Sequence, residues 1–417
     1  MVDPLKKRGG FYNHRVLFWA VLFAGSYLLS EFTAFYFLNV FESRGVRVYH
    51  PGYGLTRIQR NQIEGLISDR NPFMRPDPFL GWSLKPTAVD PEGRRTNSDG
   101  IKTAREFSKI PAADRIRIAA FGDSFTYGSD VSDEESWTEQ LAGVDAHLEV
   151  LNFGVAGYGL DQAYLRYRRD GIPYHPHLVL IGLMSGDLRR HVNVFLPWYT
   201  SRTTLPLSKP RFVIEEGRLV PLKNPLEKIE DYRRLLENPR FTLEPLGRRD
   251  YFFQKYKSFD HGYQFSPLFR LFKTLKDRPP GPRDLVRRHV YNTESEAFLI
   301  TEKLVDDFYK EAIANRAVPV ILLFPSREDL KLAERGGPKV YAPLLAKLLE
   351  ERKNVLDLAD VFLEKISETG DLGACFGAKT HYSVLGNRWV AEAVHDYLTR
   401  NDYFEAEKSK NLVYDKP

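Results

Sequence analysis

The chain has 417 residues, 43% of them hydrophobic and 28% charged, with a formal net charge of +5. That length allows an enzyme-sized buried core, the composition excludes a disordered polymer, and so small a charge gives no support to a nucleic-acid partner. The single cysteine, Cys375, excludes an intramolecular disulfide and lies among small and apolar residues, where a lone cysteine packs rather than reacts.

From Val16 to Phe41 the sequence reads VLFWAVLFAGSYLLSEFTAFYFLNVF, long enough for a helix to cross a bilayer. Its one charge, Glu31, costs about 3 kcal/mol on insertion scales, which the many Leu, Phe and Val residues outweigh. Lys6, Lys7, Arg8 and Arg15 precede the segment, so residues 1–15 are expected in the cytoplasm. The remainder is expected on the far side of an inner membrane, periplasmic or extracellular. The apolar run reaches Phe41 without a small-x-small cleavage site, which favours an uncleaved single-pass anchor.

Residues 42–112 are rich in Pro, Gly and Arg and lack a sustained helical period, which reads as an irregular lead-in. RIRIAAF then reads as a buried strand ending at Gly122. Ser132 and Glu135 form a capping-box pattern before a helix with Trp137 and Leu141. A strand over 147–153, a helix after Gly159 and a strand over 177–184 follow. Residues 195–290 break the alternation and read as an insertion. Thr293 and Glu296 then suggest another capping box, followed by a long helix, a strand over 318–324, a helix from Tyr341 to Glu351, a strand over 354–358 and a helix from Val384 to Thr399. Alternation of this kind predicts an α/β domain over 113–400, with a mostly parallel five-stranded sheet and its working residues at the carboxyl ends of the strands. Residues 401–417 read as a tail.

Three blocks stand where such a sheet places its site. GDSFTYG (122–128) can expose the Ser124 hydroxyl just past a strand, with the Ser124 N–H facing a developing oxyanion. NFGVAGYGLDQ (152–162) offers Gly157 as a second backbone donor. THYSVLGNRWVAEAV (380–394) sets His381 immediately before the last helix, in reach of the Ser124 proton. Asp123, Tyr127 and Tyr158 flank these blocks as candidate substrate contacts. No His, Cys and carboxylate cluster has metal-ligand spacing, and no cofactor is expected.

In order and content the three blocks resemble the SGNH/GDSL hydrolases, over roughly residues 114–187 and 293–400, and the NSDGIKT stretch (97–103) resembles membrane-anchored bacterial relatives. The resemblance implies a three-layer α/β/α fold, with Ser124 as nucleophile, Gly157 as oxyanion donor and His381 as base. It also marks two departures. GLMSGDLRR places Gly186 where the family has an oxyanion-hole Asn, so Ser185, Gly186 or Asn193 is expected to substitute, in that order. The family's Asp before the His is replaced by Ala378 and Lys379, which leaves a Ser-His dyad, with Asp371 as a possible orienting acid.

The expected reaction is hydrolysis of acyl esters on cell-envelope glycans or lipids, and the resemblance implies O-acetyl groups on polysaccharides above all. The alternatives are an O-acyltransferase served by a membrane acyl-donor protein, and a glycan-binding relative with impaired chemistry. Arg202, Lys209, Arg211, Arg248, Arg249, Lys255 and Lys257, interleaved with aromatics in the insertion, suit either an anionic glycan or a solvated or lipid-facing surface.

Overall fold

The computed structural model describes residues 9–44, 48–49, 55–200, 203, 205–256, 262–276, 284–378 and 380–404. Lys6, Lys7, Arg8, Arg202, Lys257, Lys379 and the tail from 405 lie outside the described residues, as does the Lys255 side chain. Contacts divide the chain into two units, residues 1–54 with 255–280, and residues 55–254 with 281–417.

The first unit is built on helix α1 (Gly9–Ser43), whose stretch His14–Phe41 is long and apolar enough to cross a membrane. From far along the chain it is joined by α10 (Pro267–Lys276).

The second unit opens with α2 (Arg57–Ile67), closed at its start by a capping box between Thr56 and Gln59, and with the hairpin of β1 (Met74–Asp77) and β2 (Gly81–Leu84). The lead-in, expected to be irregular, therefore carries a helix and a hairpin. Its hairpin strands have only four residues each, too few to show a period.

The central sheet contains β3 (Ile116–Phe121), β4 (Leu148–Asn152), β5 (Leu178–Met184), β10 (Val318–Phe324) and β11 (Val355–Asp357). They lie in the order β11-β10-β5-β3-β4, every pair parallel, with Ile118 opposite Leu178 and Val318 opposite Leu178 on its other side. The chain leaves β3 for β4 on one side and returns to β5 on the other, so the topological switch point lies between β3 and β5, where open sheets place their sites.

The short α3 (Ser124–Tyr127) follows β3, and α4 (Trp137–Val144) precedes β4. The expected capping box at Ser132 does not start α4. Glu135 accepts the Ser132 N–H at 3.0 Å in a preceding turn, and Ser136 is the N-cap. Helix α5 (Leu160–Arg166) leads on to β5.

The insertion is also ordered where described. It contains α6 (Leu196–Tyr199), the hairpin of β6 (Arg211–Glu215) and β7 (Arg218–Leu222), then α7 (Ile229–Glu237), α8 (Pro239–Gly247) and α9 (Tyr251–Tyr256). Two-residue strands β8 (Val286–Arg287) and β9 (Val290–Tyr291) return the chain to α11 (Glu296–Ala314). The N-cap of α11 is Ser295, which accepts the Phe298 N–H at 3.2 Å, rather than Thr293.

Helices α12 (Arg327–Glu334), α13 (Ala342–Glu350), α14 (Leu358–Thr369) and α15 (Val384–Arg400) complete the chain. Helix α15 packs against α4 and α14, whereas α11 packs against α5, and these two groups cover opposite faces of the sheet as a three-layer α/β/α arrangement. Aromatic packing joins the layers: Phe121 stacks on Phe153 at 4.7 Å and meets Phe308 of α11 at 6.0 Å.

Candidate active site

At the carboxyl end of β3 the chain turns sharply at Gly122, where a Cβ would lie 2.2 Å from Thr126 Oγ1 and 3.1 Å from the Gly182 carbonyl oxygen. Only glycine lets α3 fold back this tightly. Asp123 caps α3 by accepting the Phe125 N–H at 2.8 Å, and Gly128 ends it at φ 77°. Ser124 is therefore the first residue of a one-turn helix at the sheet's switch point, 6% exposed.

His381 arrives from the loop before α15. Its Nε2 lies 2.9 Å from Ser124 Oγ, and its Nδ1 lies 3.1 Å from Asp130 Oδ1. The backbone N–H of His381 donates to Asp130 Oδ2 at 3.2 Å, so one carboxylate fixes both the ring and the main chain. Thr380, just before it, adopts φ 108°. That conformation is strained for a β-branched residue, by about 1–3 kcal/mol, and such strain accumulates at functional sites.

Asp130 belongs to the loop after α3, which the lead-in braces: Arg94 Nη1 donates to the Ser129 carbonyl at 2.6 Å and the Arg95 N–H to Asp133 at 2.7 Å. The expected dyad is thus a Ser-His-Asp arrangement in the structure, its acid supplied from an unexpected segment. Asp371 is committed elsewhere, accepting the Gly373 and Ala374 N–H groups at 2.7 and 3.2 Å to cap a 3-10 turn.

The second block wraps the turn at Gly122, the Val155 N–H donating to the Gly122 carbonyl at 3.2 Å. Gly157 has φ 84°, and a Cβ there would meet Trp82 and Leu205 at 3.3 Å. Among the described residues, the N–H groups of Ser124 and Gly157 have no protein acceptor, as an oxyanion hole requires.

The expected stand-ins for the missing Asn are occupied. Ser185 donates its N–H to the Phe324 carbonyl at 3.3 Å and its hydroxyl to Asp329. The Gly186 N–H faces Met184 Sδ at 2.8 Å. Asn193 donates to Asp250 at 2.8 Å and to the Phe195 carbonyl at 2.9 Å, fully buried. None of the three offers a donor to the Ser124 hydroxyl.

Arg190 does stand between the first two blocks. Its Nη1 lies 3.1 Å from Asp123 Oδ2, 2.6 Å from the Tyr158 carbonyl oxygen and 2.7 Å from Asp187 Oδ1. Burial, reinforced by the Asp123 charge, pushes the Asp187 carboxyl well above its ordinary pKa. The sequence signal for Arg190 was only its place three residues after Asp187 at the end of β5.

The proposed substrate contacts are not placed for that role. Asp123 is buried as cap and ion-pair partner. Tyr127 is buried beneath Lys102, whose ammonium lies 4.8 Å from its ring centre, and Tyr158 is buried with its hydroxyl donating to the Trp82 carbonyl at 2.5 Å. The insertion's cations also divide. Lys209 is wholly buried in an ion pair with Asp161, and Arg211 is buried against Glu296 and the Arg249 carbonyl, whereas Arg248 and Arg249 are exposed.

No protein-family model and no curated protein matches the chain. Solved structures do match: a lipolytic protein of the G-D-S-L family from Desulfitobacterium hafniense at 14% identity and TM-score 0.34, over 68% of this chain and 100% of that one. A member of the same lipolytic family from Veillonella parvula matches at 14% and 0.34, over 68% and 99%. An acetylxylan esterase from Geobacillus stearothermophilus matches at 13% and 0.35, over 68% and 94%.

Proposed function

We propose that this chain is a membrane-anchored serine esterase of the SGNH type, acting on O-acyl, chiefly O-acetyl, esters of cell-envelope glycans or lipids. The observation that carries this reading is the continuous line from Ser124 Oγ through His381 to Asp130, at 2.9 and 3.1 Å. With Asp130 accepting from Nδ1–H, the neutral imidazole presents its Nε2 lone pair to the Ser124 hydroxyl.

In the reaction, His381 takes the Ser124 proton as Oγ attacks the ester carbonyl, and Asp130 stabilises the imidazolium that forms. The N–H groups of Ser124 and Gly157 hold the tetrahedral oxyanion. The Arg190 guanidinium, fixed between residues 123 and 158, supplies the positive potential that an Asn donor supplies elsewhere. The imidazolium then protonates the leaving alcohol, and water, deprotonated by His381, releases the acyl group from Ser124.

The family pattern of the three blocks and the apolar α1 support the SGNH and anchor parts of this reading. An N-terminal cytoplasmic flank would place the site in the periplasm, where acylated glycans and lipids are the available esters. The intact hydrogen-bonded line favours chemistry over a binding-only role.

The test is covalent labelling of the detergent-solubilised chain with a fluorophosphonate, read by intact mass. One adduct on Ser124, lost in Ser124→Ala and His381→Ala, followed by acetate release from acetylated xylan or acetylated peptidoglycan, is the expected result. A folded wild-type chain that takes no label would refute the esterase reading.

A further inference from the structure

Glu31 is a single carboxylate within the apolar run of α1, and the structure gives it partners. Its Oε1 accepts the Ser266 hydroxyl at 2.5 Å and its Oε2 accepts the Leu268 N–H at 2.9 Å. Those groups open helix α10, whose first N–H groups have no intrahelical acceptor and whose dipole favours a negative charge at this end. The other end of α10 is tied to the chain beyond α1, with the Tyr49 N–H donating to Thr274 Oγ1 at 3.0 Å and Arg270 Nε to the Tyr49 carbonyl at 3.1 Å. On α1 the residues in line with Glu31, Ala34 and Leu38, are only 1% and 2% exposed. Helix α10 therefore lies along the last three turns of α1 and covers that stripe.

No described residue covers the opposite face of α10. Leu268, Phe272 and Leu275 of α10, with Phe265 in the turn just before it, recur at spacings of three, four and three, and each is at least 40% exposed. Phe32, Phe35 and Tyr36 of α1, the helix that α10 packs against, are exposed as well. Lys273 and Lys276 mark the last turn of α10. At about 1.5 Å per residue, ten residues span about 15 Å, half a hydrocarbon core.

We infer that α10 is a second lipid-embedded element, running beside α1 from mid-bilayer to the far headgroup layer. Phe265, Leu268, Phe272 and Leu275 face acyl chains, Lys273 and Lys276 reach anionic headgroups, and Glu31 is hydrogen-bonded as the cap of α10 instead of standing as a bare charge in hydrocarbon. This rests on α1 being the membrane anchor. A lipid occupant follows from position: α10 is bound through Glu31 to the stretch of α1 that must be immersed to span.

The test uses the full chain in a Cys375→Ala background, reconstituted into vesicles of phosphatidylcholine and phosphatidylglycerol, with a nitroxide at Phe272→Cys, at Phe23→Cys within α1, or at the exposed Phe241→Cys. Collisions with oxygen and with a water-soluble nickel chelate are measured for each. The inference requires Phe272→Cys to match Phe23→Cys, oxygen exceeding nickel, with the reverse at Phe241→Cys. Lipid exposure at Phe23→Cys with water exposure at Phe272→Cys overturns the inference and leaves the anchor standing. Water exposure at both overturns the anchor, and the inference with it.

Discussion

Asp130 holds His381 across 251 residues of sequence, its Oδ1 3.1 Å from Nδ1 and its Oδ2 receiving the backbone N–H at 3.2 Å. This carboxylate comes from the loop after α3 and not from the residues before the histidine. Asp130→Asn should keep the fold yet reverse the donor at Nδ1, stabilising the wrong tautomer and losing the imidazolium's partner. Turnover of an acetyl ester is expected to fall by about 10³–10⁴-fold with KM little changed. Asp371→Asn, altered at a 3-10 turn, should leave turnover within about twofold. Steady-state kinetics of the two variants side by side decide between the acids.

Arg190 should matter most in the transition state. Arg190→Lys retains a cation for Asp123 and Asp187 but loses the planar fork, and kcat should fall about 10²-fold while KM stays near its original value. Arg190→Ala, by contrast, leaves a buried carboxylate without its cation, and a loss of about 3–5 kcal/mol in stability should accompany the lost activity. Thermal melts beside the kinetics separate the two effects.

Lys209 is wholly buried with Asp161, which makes it a folding element rather than a glycan contact. Lys209→Ala strands a buried carboxylate and should cost about 3–5 kcal/mol, whereas Lys209→Met with Asp161→Leu should recover much of that loss. Urea midpoints of the single and double variants test the prediction. Arg248→Ala, at an exposed cation, should change the midpoint little.

His191 is buried, its Nε2 accepting the Leu160 N–H at 3.1 Å and its Nδ1 lying 2.6 Å from Thr301 Oγ1, a pairing that suits only the neutral ring. Burial lowers its pKa to about 4 from the ordinary 6.5. Between those values the unfolded chain binds the proton and the folded chain does not, so stability falls as pH drops from 6.5 to about 4 and then levels. The full contribution, at about 1.4 kcal/mol per unit, is about 3 kcal/mol. In His191→Gln the pH dependence of the urea midpoint over that window should flatten by a corresponding amount.

The sequence by itself determined the periodic and local features. Strand β3, the turn at Gly122 and the helix behind His381 were readable because burial on both sheet faces writes a continuous apolar run, and because a strand-turn-helix is set by neighbouring residues. Ser124 and His381 were readable for the same reason, each in a short block whose position relative to a strand or helix fixes its place. The apolar stretch of α1 was equally local.

Only the tertiary structure decided which carboxylate meets His381, which groups line the oxyanion side, and which cations are solvent-facing. Asp130, Arg190 and Lys209 reach their partners through loops and an insertion whose paths follow from packing, and no period or spacing records them. A buried charge is told from an exposed one by what surrounds it in space. Lys209 and Arg248 are both cations among aromatics in sequence, but the first is sealed against Asp161 and the second stands in solvent.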